Sequence, residues 1–174
     1  PRLAVVREKY RLPERFILFF GAIEPRKNIL GLIRAFEMLK RTRILYPMPH
    51  TLKLVIAGEK GWLYEDIFAA AKASPHANDI VFTGFVDEED KPALYNLADV
   101  FVYPSVFEGF GFPPLEAMAC GVPVVTSNRS SLPEVVGSAA VLVDPFRPAE
   151  IAKAVWTLLD DEGARKEFAA RGLA

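Results

Sequence analysis

A single cysteine, Cys120, stands among the 174 residues. No internal disulfide can form, and its apolar neighbours mark it as a small core residue of a reducing compartment. Histidine is almost as scarce: His50 and His76 fall in polar, proline-containing stretches with no second ligand at useful spacing, so no metal site is expected. Neither sign of charge predominates. With 21 Lys and Arg interspersed among 22 Asp and Glu, the net charge of −1 offers no basic field for nucleic acid or an anionic membrane. The short basic run Lys40–Arg43 closes a predicted helix, where cations favour the dipole. No apolar run reaches the length of a bilayer span and no signal peptide precedes the first expected strand, so a cytoplasmic protein is expected. The G-x-G-x-x-G fingerprint of dinucleotide sites is missing too.

What the sequence has in quantity is short apolar runs. At 51% apolar, the chain suits an α/β protein whose strands are buried on both faces. Residues Phe16–Gly21, Leu52–Ala57, Ile80–Phe82, Asp99–Tyr103, Val122–Thr126 and Ala140–Val143 read as six strands. Helical patterns separate them, with Ile29, Leu32, Ile33, Phe36 and Leu39 forming one apolar face behind an Asn28 cap. A further helix is expected from about Trp62 to Ala73, and another capped by Asp87 with Pro92 in its first turn. Two amphipathic helices, Pro148–Leu159 and Glu162–Arg171, close the chain. Alternating strands and helices give a Rossmann-like, doubly wound parallel sheet of about six strands, in the order 3-2-1-4-5-6. Residues 1–15 read as a surface linker from a preceding domain and residues 16–174 as one domain.

That strand order decides where chemistry can occur. Ligands bind outside the carboxyl ends of strands where the order reverses, here between the first and fourth strands. The loops leaving those two strands are Ala22–Asn28 and Pro104–Phe112, roughly 80 residues apart in the chain. The first carries Arg26 and Lys27 where small residues would otherwise admit a pyrophosphate; cations there can hold phosphate by charge, although such a pair taken alone reads as solvated surface. The second loop is glycine-rich and carries Glu108, eight residues before Glu116, and it feeds a helix through Pro113–Pro114. Free backbone N–H groups and the positive dipole end at a helix start attract an anion. Prolines in the first turn waste no donor.

EGFGFPPLE at Glu108–Glu116, with EAMACGVPVVTS continuing it, resembles the E-x7-E element of retaining glycosyltransferases of the GT-B fold, family-four group. GAIEPRKN resembles the diphosphate loop of that group, GEKGW its second-strand end, and GFVDEEDKPALYNLADVFVYPS its base-binding loop and following helix. The resemblance covers nearly the whole chain and is to the C-terminal, nucleotide-sugar-binding domain. It implies that Lys27 contacts the diphosphate, with Arg26 in place of the arginine that many members carry where this chain has Ala22. It further implies that Glu116, in the first turn of its helix, accepts the ribose hydroxyls and that Glu108 lies by the donor sugar. Gly109, Phe110 and Gly111 would contact that sugar through backbone N–H groups, with Phe112, Leu115 and Gly21 beside the nucleotide and Phe85 and Val86 holding the base.

The implied activity is transfer of a hexose from a nucleoside-diphosphate sugar with retention, without a metal or other cofactor. E-P-R-K-N resembles mannosyltransferases using GDP-mannose, while UDP- and ADP-hexoses stay open. The implied partners are a missing N-terminal domain and an acceptor sugar or lipid-linked glycan, in polysaccharide or glycoconjugate biosynthesis peripheral to the inner membrane. Because the sequence opens on Pro1 and stops inside a helical pattern, an excised domain is expected. Two rival readings are a nicotinamide-dependent oxidoreductase, disfavoured by the missing fingerprint, and a noncatalytic nucleotide- or partner-binding domain on the same scaffold.

Overall fold

The computed structural model describes residues 2–42 and 51–174; Arg43 and His50 lie outside them. Among the described residues six parallel strands form one sheet: β1 (Arg15–Phe20), β2 (Leu52–Ala57), β3 (Ile80–Gly84), β4 (Val100–Tyr103), β5 (Val124–Ser127) and β6 (Val141–Val143). Their order is β3-β2-β1-β4-β5-β6, as the alternation of elements predicts. The apolar runs become strands because both faces are covered: Phe16 to Phe19 of β1 and Val100 to Tyr103 of β4 are buried throughout.

Successive strand residues point to opposite faces, so Ile17 and Leu18 identify the two layers. Ile17 faces helices α2 (Ile29–Thr42) and α7 (Pro148–Asp160), which pack on each other through Leu32, Phe36, Ile151 and Val155. Leu18 is in register with Phe101, whose ring lies 5.4 Å from that of Tyr95 in α4 (Lys91–Leu97). That second layer also holds α5 (Phe112–Ala119) against α4.

The leading segment is helical. Helix α1 (Arg2–Lys9) buries Val6 and sits on α4, with Arg2 and Lys9 each 2.6 Å from a carboxylate oxygen of Asp90 and the Tyr10 hydroxyl donating to the same carboxylate at 3.0 Å. Asp87 therefore does not cap α4: its carboxylate pairs with Lys9 at 2.5 Å, and a 3-10 turn, Glu88–Asp90, precedes the helix with Pro92 in its first turn. Helix α3 (Glu65–Ala73) begins three residues later than expected, because Leu63 adopts φ 53° and leaves Trp62 and Leu63 outside it, 68% and 63% exposed. After the short helix α6 (Leu132–Val136), the terminal helix α8 (Glu162–Leu173) buries none of its residues, so it is not the amphipathic helix expected there.

Candidate functional site

The bend after β1 is held rigidly from both sides. At its root Gly21 and Gly58 pass so closely that a Cβ on Gly58 would lie 2.1 Å from the Gly21 carbonyl oxygen, and Gly58 also has φ 130°. Ile23 then pairs with the loop after β2, donating its N–H to the Glu59 carbonyl at 2.9 Å and accepting that of Gly61 at 3.0 Å. Pro25–Lys27 makes one 3-10 turn that ends on Asn28 in the left-handed region, φ 55°. Asn28 ends this turn rather than simply capping α2, and its side-chain amide donates to the Pro145 carbonyl at 2.7 Å. This turn directs Lys27 inward, where it is 7% exposed, and leaves Arg26 half-exposed on the rim.

A buried ammonium needs partners, since an isolated charge in an apolar interior is strongly disfavoured. The loop after β4 supplies them. Lys27 Nζ lies 2.6 Å from Glu108 Oε1 and 2.7 Å from the Tyr103 hydroxyl. Arg26 donates to the other carboxylate oxygen, Oε2, at 2.9 Å, to the Phe107 carbonyl at 2.9 Å and to Glu24 Oε1 at 2.6 Å. The Ser105 and Tyr103 hydroxyls donate to Glu108 Oε1 at 2.7 and 2.9 Å. A backbone bond, Val106 N–H to the Arg26 carbonyl at 2.9 Å, joins the two loops directly. The two turns thus meet at the carboxyl ends of β1 and β4, as the strand order requires.

Burial alone would raise the Glu108 carboxyl, but the Lys27 ammonium and the Ser105 and Tyr103 hydroxyls outweigh it and hold the group below the usual carboxylate range. Tyr103 moves the other way: burial, then the adjacent Glu108 charge, pushes its phenol far up, so it remains a donor. The carboxylate's own backbone is clamped from β5's side, with Ser130 and Ser131 hydroxyls donating to the Glu108 carbonyl at 2.6 and 3.0 Å.

Helix α5 starts where the glycines end. Gly111, at φ 105°, is its N-cap, and a Cβ there would come within 2.6 Å of the Leu132 side chain. Gly109 and Phe110 are exposed in front of the helix start, and Phe112 is 66% exposed. The helix begins one residue before Pro113, so Glu116 sits a turn in rather than in the first turn. There it accepts a 2.7 Å bond from the Tyr95 hydroxyl, and burial and Glu116 together push the Tyr95 phenol well up. Leu115, half-buried, packs against the core beside it.

Two hollows run from Glu116 to the end of β3 and share Glu88 and Lys91. One, of about 320 Å³, is walled by Tyr95 and Glu116; the other, of about 190 Å³, by Gly21, Phe85 and Val86. Phe85 is 58% exposed while Val86 is buried, so the first presents a ring and the second contributes backbone. All the residues singled out by sequence therefore fall along one edge of the sheet, in three adjacent places. A larger hollow of about 670 Å³ opens at the opposite, amino-terminal edge around the Arg15–Asp99 ion pair, away from all of them. Among the described residues no three metal-ligating side chains cluster.

Sequence reasoning missed Tyr103, Ser105, Glu24, Tyr95, Ser130 and Lys91. Tyr103 carried a usable signal, a hydroxyl at the last position of a buried strand, which places it at the ligand-bearing edge. The others depend on contacts between loops distant in sequence.

Known proteins match this arrangement over its full extent. The family model of glycosyl transferases group 1 matches residues 5–173. An O-antigen chain mannosyltransferase B of Escherichia coli is 43% identical over 171 residues, 97% of this chain and 43% of the relative. The serotype-specific mannosyltransferase WbdA, also of Escherichia coli, is 39% identical over 174 residues, covering 99% of this chain and 21% of its own length. The chain therefore spans less than half the length of these relatives. Among solved structures, the C-terminal domain of a glycosyl transferase group 1 family protein (LpcC) from Francisella tularensis has a TM-score of 0.81 at 28% identity, covering 99% of this chain and 89% of that one. HepE of Anabaena, solved with UDP and glucose, shares the fold with a TM-score of 0.84 at 22% identity, over 99% of this chain and 46% of that one. With nearly every residue inside the family model and the mannosyltransferase identities to match, this chain is a member of the glycosyl transferases of group 1.

Proposed function

We propose that the chain is the donor-binding half of a hexosyltransferase, taking a nucleoside-diphosphate sugar along the edge from Phe85 to Glu108. One observation carries this reading: the Arg26–Lys27 bend and the Glu108 loop converge beside the start of α5, at the switch point of the sheet. The base would lie over Phe85 and Val86, the ribose hydroxyls on Glu116, and the diphosphate between Arg26, Lys27 and the backbone N–H groups of Gly111 and Phe112. A carboxylate fixed by the Tyr95 hydroxyl suits a vicinal diol, because both of its oxygens keep lone pairs free.

The chemistry follows from charge. Cleaving the bond between sugar and diphosphate leaves negative charge on the phosphate while the sugar becomes oxocarbenium-like. Fixed cations and helix N–H groups lower the energy of that charge without reorganising, and this set needs no metal to do so. We assign Glu108, kept ionised by its bonds to Lys27 and Arg26, to positioning beside the sugar rather than covalent attack. Retention of configuration, a cytoplasmic site of action peripheral to the inner membrane, and a separate N-terminal domain for the acceptor belong to the same reading. The fraction of relatives spanned and the likeness to a free-standing C-terminal domain support the last of these.

The mannosyltransferase relatives favour GDP-mannose as donor over UDP- or ADP-hexoses. Calorimetric titration with GDP, UDP and ADP tests this, GDP being expected to bind tightest. Lys27→Ala and Glu116→Ala are each expected to weaken binding by about 1–3 kcal/mol through lost charged hydrogen bonds. Unchanged affinity in both would refute the site.

A further inference from the structure

On the other side of Glu108 from the proposed nucleotide groove, the loops after β4, β5 and β6 border an open cleft of about 600 Å³. Its walls are two phenylalanine rings, Phe107 and Phe146, 63% and 60% exposed, and its floor is Asn128, Arg129 and Ser130. Its volume falls in the range of small-ligand sites, about 300–1,000 Å³.

Hydrogen bonds hold the backbone of the loops that carry it. Asn128 N–H donates to the Val143 carbonyl at 2.8 Å, Arg129 N–H to Ser127 Oγ at 3.1 Å, and Phe146 N–H to Asp144 Oδ1 at 3.0 Å. Ser130 is held in the left-handed region at φ 56°, a conformation that serine rarely adopts, with its hydroxyl on the Glu108 carbonyl. Arg129 lies 5.1 Å from the centre of the Phe146 ring and 3.8 Å from Asp144, which leaves several of its donors free and the local charge balanced. The surface thus combines apolar ring faces, neutral or donor polar groups and no net charge. A pyranose has the matching make-up: a face of C–H bonds that packs on the electron-rich face of an aromatic ring, and a rim of hydroxyls that accept and donate.

We propose that this cleft binds a neutral oligosaccharide and is a subsite for the acceptor glycan. The inference rests on the donor reading above, which fills the edge as far as Glu108; the next ligand along that edge is the one that receives the sugar. Ser130, which touches both the cleft floor and the Glu108 backbone, sets the distance between the two.

The test is an NMR titration of the chain, saturated with GDP, using linear α-linked mannotriose as probe. Amide shifts are expected at Phe107, Asn128, Arg129 and Phe146. Phe146→Ala and Arg129→Ala are each expected to weaken mannotriose binding about fivefold to tenfold, the scale of one stacked ring or one charged hydrogen bond. Both should leave GDP affinity within about twofold of the parent, since neither side chain belongs to the donor machinery. GDP binding measured on each variant also reports that it is folded, and it separates the two claims: loss of GDP binding by the parent defeats the donor reading. GDP binding with no mannotriose shifts at these residues, or with the same mannotriose affinity in both variants, overturns the inference alone. Self-association of the chain that Phe146→Ala abolishes, without glycan shifts, would overturn it in favour of a protein-docking surface.

Discussion

Removing the Glu108 carboxylate should damage the fold more than removing the lysine it pairs with. In Glu108→Ala the Lys27 ammonium, 7% exposed, keeps only the Tyr103 hydroxyl, and Arg26 loses one of its two carboxylates. Taking one partner from a buried pair destabilises by about 3–5 kcal/mol, because the other charge stays behind unpaired. Arg26 can turn into solvent, so the lower end, about 3 kcal/mol, is expected. In Lys27→Met the carboxylate keeps Arg26, Ser105 and Tyr103 as donors, and the loss should be about 1–2 kcal/mol. For a domain of this size 1 kcal/mol moves the melting temperature by about 2–4 °C, which gives a fall of about 6–12 °C for Glu108→Ala and about 2–8 °C for Lys27→Met. Urea denaturation of both variants beside the parent, with matched slopes, measures the difference. Equal stability of Glu108→Ala and the parent, or a larger loss in Lys27→Met, would show that the pair is not buried as described.

Acidification should reach the same carboxylate. Its folded pKa lies below the ordinary 4.5, so its contribution is complete above 4.5 and is lost as pH falls from there through the lower folded value; urea midpoints between pH 6 and pH 3 should drop more steeply in the parent than in Glu108→Gln. Gly111→Ala places a Cβ 2.6 Å from the Leu132 side chain at φ 105°, and a loss of about 1–3 kcal/mol in urea stability is expected. Tyr95→Phe removes the donor to the half-exposed Glu116; GDP affinity should fall by about 1 kcal/mol, with the circular dichroism spectrum unchanged.

How much of this was legible in the sequence depends on the range of the interactions involved. Strands such as FILFF and LKLVIA announce themselves through continuous apolar runs, and the reversal of strand order follows from chain alternation, so the edge carrying the site could be placed beforehand. Element ends were less legible. Trp62 and Leu63 fit a helical pattern, yet Leu63 turns left-handed and the helix waits for Glu65. Lys27 shows the deeper limit: a lysine beside an arginine reads as surface, and only a carboxylate 81 residues away turns it inward. The Tyr95–Glu116 bond is equally silent in the sequence, because it joins side chains of two different helices.

On the proposed donor reading, the ion pairs also bear on how a diphosphate would be held. Glu24, Arg26, Lys27 and Glu108 sum to zero charge, so an incoming diphosphate meets a neutral cluster rather than two free cations. It would share Arg26 and Lys27 with carboxylates already bonded to them, and the rest of its attraction would come from the positive dipole end of α5 and the N–H groups of Gly111 and Phe112, since Pro113 and Pro114 offer none. GDP affinity should therefore depend weakly on ionic strength in the parent, since screening acts mainly on unbalanced charge. Glu108→Gln leaves a net cation while keeping the side-chain volume, and GDP should then bind about fivefold more tightly at low salt, on the order of 1 kcal/mol, with the gain erased as salt is raised. Calorimetry at two ionic strengths, run well below the lowered melting temperature, measures both effects. Weaker GDP binding by Glu108→Gln, with the salt dependence of the parent, would mean that the carboxylate orients the cations for phosphate rather than competing for them.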